Sequence, residues 1–273
     1  MKELATMTTG LQQIPFADYL KSPAIGSHTM QGADRSFESY ATRRDAPDKD
    51  SKDFILGRAF HSLTLTPGLF AREFVAMPPE VKTRGAKAYK EAVARESRDV
   101  LMAPELATVR AMAASVKACP VASRLTSGAD YTESSFFWEI DGLKCKGRAD
   151  SILVTEPGRF TLVDLKSCRN SGHRRAGGAP PFANSVIDFG YLTQGAWYIA
   201  GIEAVTGWTC DGFILVAVEK EAPFEVECYA VPEEVMDLGR DQMSDNVKTI
   251  LAGPQKAPAI KTLALPSWAT RTN

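Results

Sequence analysis

Three residues that could carry out metal-dependent chemistry lie close together in the middle of the sequence. The stretch GRADSILVTEPGRFTLVDLKS, residues 147–167, contains Asp150, Asp164 and Lys166. Side chains alternate between the two faces of a strand, so a strand over residues 160–167 would project Asp164 and Lys166 from one face. Carboxylates suit Mg2+ or Mn2+, and a neighbouring lysine can orient or help to deprotonate a water. Asp-x-Lys alone is often a surface ion pair, but Asp150 on the preceding strand favours metal-dependent phosphodiester chemistry.

A two-residue turn signal, Asp141-Gly142, predicts a β-hairpin and fixes the register of its strands. Without a bulge, Glu139 lies opposite Lys144 and Glu133 lies opposite Asp150. The opposite charges of Glu139 and Lys144 favour this register. Glu133 is therefore a candidate for a further oxygen ligand, although a solvated strand glutamate fits the sequence equally well.

Basic residues share the face of Asp150 and recur in the loop after the third strand. Lys144, Lys146 and Arg148 alternate along the hairpin, which predicts a row of positive charge that neutralises DNA phosphates. A polar outer face of a half-buried hairpin is the alternative. The loop RNSGHRRAGGAPP places Arg174 and Arg175 among glycines, which suits a phosphate-gripping element, although charge-rich loops are often simply solvated.

Two pairs of residues with helical spacing could add to the site. His61 follows Gly57 by four residues in a predicted helix over 54–65, so both lie on one side, where Gly57 would permit close approach to the sheet. Gln194 and Tyr198 are also four residues apart, on the helix after the third strand, and could point at the Asp/Lys pair. By itself, a helical histidine is usually structural, and the Gln/Tyr pair would be a polar edge of a core helix.

The composition indicates an ordinary globular protein. Its 273 residues, 44% of them apolar, are enough to bury a full core in one domain. A net charge of -1 excludes a wholesale basic coat, so DNA binding would need local clusters. Five cysteines without CxxC spacing disfavour a disulfide framework, a zinc site or an iron–sulfur cluster. Without a membrane-length apolar run or a signal-peptide core, we expect a cytoplasmic protein with no membrane partner. No Walker-type sequence is present, so ATP-driven chemistry is not expected.

The predicted elements follow the order helix, three strands, helix, strand, which predicts an α/β fold with a mixed central sheet flanked by helices. Residues 1–50 are expected to be an N-terminal extension that is partly irregular, and residues 51–273 a single domain with a C-terminal helix and tail. The predicted helices cover 54–65, 85–98, 104–119, 182–205 and 232–251, and the strands after the meander cover 212–218 and 224–231.

These blocks resemble the PD-(D/E)XK nuclease superfamily, and within it the RecE, or exonuclease VIII, type of phage-derived DNA exonuclease. FILGRAFHSLTLTPGLF resembles the family's Gly-x-x-x-His helix, KGRAD and VDLKS resemble its metal strands, and GYLTQGAWY resembles its Gln-x-x-x-Tyr helix. PEVKTRGAKAYKEAVA and LALPSWATR also resemble family segments, so the likeness covers roughly residues 50–270. It implies a restriction-endonuclease-like α-β-β-β-α-β core.

For the metal site, the resemblance implies Mg2+ binding by Asp150 and Asp164, with the Leu165 carbonyl as a further ligand. It also implies that His61 belongs to the metal site. Two ions per site are expected, with Mn2+ able to replace Mg2+. Glu133, opposite Asp150 in the hairpin, is an added candidate ligand.

For the reaction, the resemblance implies that Lys166 acts on the nucleophilic water while Gln194 and Tyr198 position the reacting groups, Tyr198 with DNA contact. Enzymes of this type digest one strand of linear duplex DNA from its 5' end, without ATP. They leave 3' single-stranded tails for a RecT-type annealing protein. They often form closed rings, so a homo-oligomeric trimer or tetramer is expected. The resemblance also implies a phage or prophage protein in a bacterial host.

Three hypotheses follow. The first is a Mg2+-dependent 5'-to-3' DNA exonuclease of recombination, and the second is a structure-specific or endonucleolytic DNA nuclease of the same superfamily. The third is a DNA-binding relative that has lost cleavage. The presence together of His61, Asp150, Asp164, Lys166 and Gln194 argues against the third, because an inactive site has no physical reason to hold all five.

Overall fold

The structure, a computed structural model, describes residues 10–46, 51–169, 171 and 180–255. Its strands are β1 (Phe74–Ala76), β2 (Asp99–Leu101), β3 (Tyr131–Ile140), β4 (Leu143–Glu156), β5 (Arg159–Cys168), β6 (Thr209–Glu219) and β7 (Val226–Val231). Its α-helices are α1 (Phe16–Lys21), α2 (Ser27–Met30), α3 (Phe37–Asp45), α4 (Lys52–Leu65), α5 (Phe70–Glu73), α6 (Lys87–Arg95), α7 (Ala103–Ala118), α8 (Pro120–Leu125), α9 (Pro181–Asp188), α10 (Tyr191–Thr206) and α11 (Glu233–Ala252). None of these helices is both long enough and apolar enough to cross a bilayer.

A mixed sheet lies at the centre of the described chain, with the strand order β3-β4-β5-β6-β7. β5 and β6 pair in parallel, and the other neighbouring strands are antiparallel. α10 connects β5 to β6, as a parallel pair requires a crossover. The predicted α/β fold with a mixed sheet and flanking helices is confirmed.

The hairpin forms in the register that its turn sequence predicts. Glu139 pairs with Lys144, and Ser135 pairs with Arg148. Asp141 and Gly142 have φ values of 49° and 85°. Positive φ at both central residues is the geometry of a type I′ turn, which matches the twist of the flanking strands.

The alternation along β5 sends its residues into two separate cores. Leu162 packs with Trp197 of α10 on one face of the sheet. Val163 and Leu165 pack with Phe60 of α4 on the other face. Asp164 and Lys166, two and four residues after Leu162, therefore lie on the same α10 face of the sheet.

The described part of the N-terminal extension is more ordered than the sequence predicts. It contains α1, α2 and α3, and Met30 and Tyr40 are buried in the core under α10. Gln12 forms an antiparallel bridge with Ser135 of β3. These short helices carry too few apolar residues to show a clear helical period in the sequence. Their helical structure is stabilised mainly by tertiary packing. Residues 10–46 share a core with the rest of the described chain.

The helix after β5 is interrupted where the sequence predicts one continuous helix. α9 ends at Asp188, and Gly190, with φ of 64°, precedes α10. Positive φ is readily available to glycine, which explains how the chain turns here. A second difference is the parallel pair β1 and β2, which the sequence analysis did not identify because three-residue strands give no usable alternation.

Two helical glycines have opposite surroundings. A Cβ on Gly239 of α11 would lie 2.5 Å from the Leu192 carbonyl oxygen of α10, which is backbone and cannot rotate away. A Cβ on Gly57 of α4 would meet nothing within 4 Å. The close approach to the sheet expected at Gly57 is therefore not seen, and α10 and α11 depend on Gly239 instead.

We expect Gly239→Ala to destabilise the protein by about 1–3 kcal/mol, because the added methyl group forces α11 away from α10. Gly57→Ala is the matched control and should stabilise by about 0.5–1 kcal/mol through helix propensity. Urea unfolding measures both free energies. Equal stability of the two variants would show that the helices are not in close contact at Gly239.

Candidate active site

β4 and β5 separate at the residues expected to bind metal. The ladder between them extends to the pair Ser151 and Val163. One residue further on, Asp150 Oδ2 accepts a hydrogen bond of 2.7 Å from the Leu165 backbone N–H. The carboxylate thus takes the place of a strand partner, which satisfies a buried donor and fixes Asp150 between the two strands.

His61 reaches this point from α4. Ser51 caps the helix by accepting a hydrogen bond from Phe54 N at 3.2 Å. His61 Nδ1 lies 3.2 Å from Asp150 Oδ1 and 3.9 Å from Glu133 Oε1. One ligand atom from each of these three side chains lies within 4.8 Å of the others. Imidazole and carboxylate groups at this spacing form a candidate metal site.

Glu133 has an unusual backbone conformation. Its φ is 48°, a left-handed value that is uncommon for a residue with a side chain. The pairs on either side, Thr132 with Ser151 and Ser134 with Ala149, keep Glu133 opposite Asp150. Such backbone outliers cost about 1–3 kcal/mol and cluster at functional sites, which supports a functional role for Glu133.

A second group of side chains lies on the α10 face of β5. Lys166 Nζ is 2.6 Å from Asp164 Oδ2 and donates a 2.9 Å hydrogen bond to Gln194 Oε1. Gln194 Nε2 donates in turn to Tyr198 Oη at 3.0 Å. The ring of Tyr191 lies 4.5 Å from Lys166 Nζ. The lysine is therefore held by a carboxylate, an amide and an aromatic face.

The charges in the two groups act on one another. Burial raises the pKa of the Asp164 carboxyl to about 6, with Asp150 adding to the rise and Lys166 opposing it. Burial and the charge of Asp150 also raise the pKa of Glu133. Burial lowers the pKa of His61, but Asp150 and Glu133 outweigh it and bring the value to about 9. The raised pKa values of Asp164, Glu133 and His61 show that negative charge dominates around Asp150, so this part of the site favours an additional positive charge.

A divalent cation fits this donor set. Asp164 is 2% exposed, and its Oδ2 has no hydrogen-bond partner within the described residues beyond the close Lys166 ammonium. Buried carboxylates around one small volume are the ligands that Mg2+ and Mn2+ prefer. Asp150 belongs to both groups of side chains, since it faces His61 and also binds the Leu165 amide between Asp164 and Lys166.

Two predicted DNA-contacting residues have other roles in the structure. Lys146 Nζ donates to the carbonyls of Tyr19 and Ser22 at 3.0 and 2.9 Å. Arg148 Nε donates to Glu133 Oε2 at 2.6 Å, and its Nη1 donates to Ile14 O at 2.9 Å. The segment before α2 therefore covers Lys146 and Arg148, while Lys144 of the same row is exposed. DNA contact by this basic row stays a prediction.

Tyr198, which the resemblance places in contact with DNA, is almost fully buried. It is 8% exposed, its ring packs edge-on against Phe136, and its hydroxyl accepts a hydrogen bond from Gln194. DNA contact by Tyr198 stays a prediction. Arg174 and Arg175 lie outside the described residues. The Leu165 carbonyl stays a predicted ligand, on a peptide that the hydrogen bond to Asp150 fixes.

Two contributions to the site were not predicted from the sequence. Tyr191 lies within the quoted GYLTQGAWY segment, three residues before Gln194, and this helical spacing could have placed it near Lys166. The contact of Ile14 with Arg148 has no local signal, because it joins residues far apart in the sequence.

The fold and these side chains define a nuclease domain of the PD-(D/E)XK type. A family model described as "PDDEXK-like domain of unknown function (DUF3799)" matches residues 29–257. This match covers most of the chain, so the protein belongs to that family. No curated protein gives a significant sequence match.

A solved structure of another protein shares the architecture. A crystal structure from Eubacterium rectale described as "Putative exonuclease" has a TM-score of 0.60 at 14% identity, with 93% of this chain and 96% of that chain covered. That likeness shows the shared fold. A structure described as SSO0001 has a TM-score of 0.31 at 18% identity, covering 76% of this chain and 87% of that chain, which is too low to inform the fold.

We expect Arg148→Lys to weaken Mn2+ binding by about 10- to 100-fold, because lysine cannot hold Glu133 and the Ile14 carbonyl together. Calorimetric titration of Mn2+ measures the affinity. Lys144→Ala removes an exposed positive charge from the same strand and should leave the affinity unchanged. Equal affinities for wild type and Arg148→Lys would mean that Arg148 does not position Glu133.

The chain from Lys166 to Tyr198 predicts a graded effect on the nuclease rate. Tyr198→Phe removes the hydroxyl that accepts from Gln194 and keeps the buried ring, so the cleavage rate should fall by about 2- to 12-fold. Gln194→Ala removes the hydrogen bond to Lys166 itself and should lower the cleavage rate by a larger factor. Single-turnover assays measure both rates, and a larger loss for Tyr198→Phe than for Gln194→Ala would contradict this order.

Proposed function

We propose that the protein is a Mg2+-dependent, ATP-independent exonuclease that degrades linear double-stranded DNA from 5' to 3'. The observation that carries the proposal is the largely buried Lys166, whose side chain is 13% exposed and is held between Asp164 and Gln194 beside a second carboxylate, Asp150. This combination supplies metal ligands and a charged donor at one point. The geometry supports phosphodiester cleavage; the direction and the 3' single-stranded product come from the RecE-type resemblance.

Asp150 and Asp164 would hold the metal, with the Leu165 carbonyl as a further ligand. His61 and Glu133 lie beside Asp150 and would serve a second ion, with Asp150 common to both. When bound, Mg2+ supplies charge for the scissile phosphate and lowers the pKa of an attacking water. Mn2+ should replace it, since both ions take oxygen ligands.

Lys166 would act as a hydrogen-bond donor at the reacting groups. Burial lowers the pKa of its ammonium group, but Asp164 and Asp150 outweigh this effect and raise the pKa above its usual value. A charged lysine can orient the water or stabilise the phosphate. Gln194 would keep the ammonium group in place through its 2.9 Å hydrogen bond.

The biological setting in this proposal follows the same resemblance. The 3' tails would be passed to a RecT-type annealing protein during phage or prophage recombination in a bacterial cytoplasm. A trimeric or tetrameric ring around DNA would keep the enzyme on its substrate by topology. Sequence-independent digestion agrees with contacts to the DNA backbone, which carry no base information.

Linear, nicked and covalently closed duplexes with end labels test the proposal, each with and without Mg2+. We expect digestion of linear DNA only, with the 5' label released first and no reaction without metal. Asp164→Asn and Lys166→Ala should each reduce the rate by about 100-fold or more.

Three other results would contradict this function in different ways. Cutting of closed circles would identify an endonuclease. DNA binding without cleavage in any divalent metal would identify an inactive relative. Full activity of Lys166→Ala would show that the site lies elsewhere.

A further inference from the structure

An exposed aromatic ring lies next to the candidate active site. Phe189 follows α9, and 62% of its surface is exposed. Its ring stacks on Tyr191, with 5.8 Å between the ring centroids and 29° between the planes. A large ring left in water has an unburied face that can accept another flat group.

The turn that presents Phe189 is held in place by contacts on both sides. The Phe189 N–H donates to Ser185 O at 3.0 Å. The next residue, Gly190, has φ of 64°, and its carbonyl accepts a 2.9 Å hydrogen bond from Gln31 Nε2. A Cβ on Gly190 would lie 3.1 Å from the Gln31 side chain, a tight contact that adds to the positive φ in favouring glycine here. The ring is thus presented by a fixed turn.

The stack continues to the candidate active site. The Tyr191 ring lies 4.5 Å from Lys166 Nζ, on the side of β5 that carries Asp164. Phe189 is therefore linked to the Lys166 ammonium group through a single residue, Tyr191. That span is no more than about three stacked nucleotide steps, at roughly 3.4 Å per step.

We propose that Phe189, supported by Tyr191, is a stacking site for an unpaired nucleobase of the strand that is being cleaved. The inference rests on the proposed nuclease function and adds a base-binding position to it. Every base has an aromatic face, so such a site holds a strand without selecting its sequence. A base inside a duplex is already stacked on both faces, so a base from within the strand must leave the duplex before it can stack on Phe189.

A base fits this position better than a protein partner does. Stable protein interfaces bury about 800 Å² on each partner, far more than one ring provides. Ile187 is equally exposed, at 65%, but it is not part of the ring stack. Ile187→Ala is therefore a matched control, because this substitution removes a similar exposed apolar group near the same turn.

The test combines Phe189→Ala with DNA that lacks single bases. Each linear duplex carries one abasic position, placed in turn at each of the first few nucleotides of the cleaved strand. Single-turnover digestion in Mg2+ gives the rate and the half-saturating protein concentration. We expect Phe189→Ala to raise the half-saturating concentration by about 5- to 150-fold, the range for loss of one base stack. An abasic site at one position should weaken wild type similarly and weaken Phe189→Ala no further.

Two variants distinguish stacking from a general effect on the fold. Phe189→Trp retains a flat aromatic face and should keep affinity near that of wild type, while Ile187→Ala should behave as wild type with all substrates. Additive losses from Phe189→Ala and the abasic site would overturn the proposal. So would wild-type affinity of Phe189→Ala, or a loss that accompanies a change in oligomeric state.

A fluorescence measurement separates this proposal from the nuclease proposal. Single-stranded DNA with 2-aminopurine near its 5' end is titrated with protein in Ca2+. Quenching by wild type and Phe189→Trp, but not by Phe189→Ala, would support stacking even if no DNA is digested. Equal quenching by all three proteins would overturn the stacking site and leave the nuclease proposal to the digestion assay.

Discussion

The hydrogen bond from the Leu165 N–H to Asp150 Oδ2 is the interaction on which the site depends. It forms where β4 and β5 stop pairing, so a carboxylate replaces a backbone acceptor in the middle of the sheet. The Leu165 side chain is buried against α4 and α7, which anchors the donor. Asp150 is thereby fixed between His61 on one side of the sheet and the Asp164–Lys166 pair on the other.

The same arrangement explains why a cation would stabilise the carboxylates of Asp150, Asp164 and Glu133. Taking an ionised carboxylate out of water is costly unless it is paired. Asp164 and Glu133 both have raised pKa values because of burial and the neighbouring charge of Asp150. Lys166, Arg148 and His61 relieve part of this cost. A divalent ion would relieve more of it without a change in the fold.

The segment before α2 stabilises the site from outside the sheet. Arg148 joins Glu133 to the Ile14 carbonyl, and Lys146 joins the end of α1 to β4. Hydrogen bonds to charged groups contribute about 1.5–3 kcal/mol each, enough to offset the left-handed backbone of Glu133. A segment that looks peripheral in sequence therefore helps to hold a candidate metal ligand.

The sequence was informative where short-range rules apply. The Asp141-Gly142 turn determines the hairpin register, and strand alternation places Asp164 and Lys166 on one face. The contacts of Arg148 with the Ile14 carbonyl and of Lys146 with the Tyr19 carbonyl could not be derived this way, because these partners are more than one hundred residues away. Tyr198 has the predicted spacing from Gln194, but only the packing against Phe136 shows that it is buried. Positive φ at Glu133 has no sequence signal, since it is not a glycine.

Crystals soaked in Mn2+ and measured for anomalous scattering show most directly whether the Asp150 cluster binds divalent metal, with Asp164→Asn as the comparison. We expect a Mn2+ peak in contact with Asp150 and Asp164 in the wild type, and a weaker or missing peak at that position in Asp164→Asn. A wild-type crystal that binds Mn2+ elsewhere, with no peak at Asp150, would contradict metal binding by this cluster.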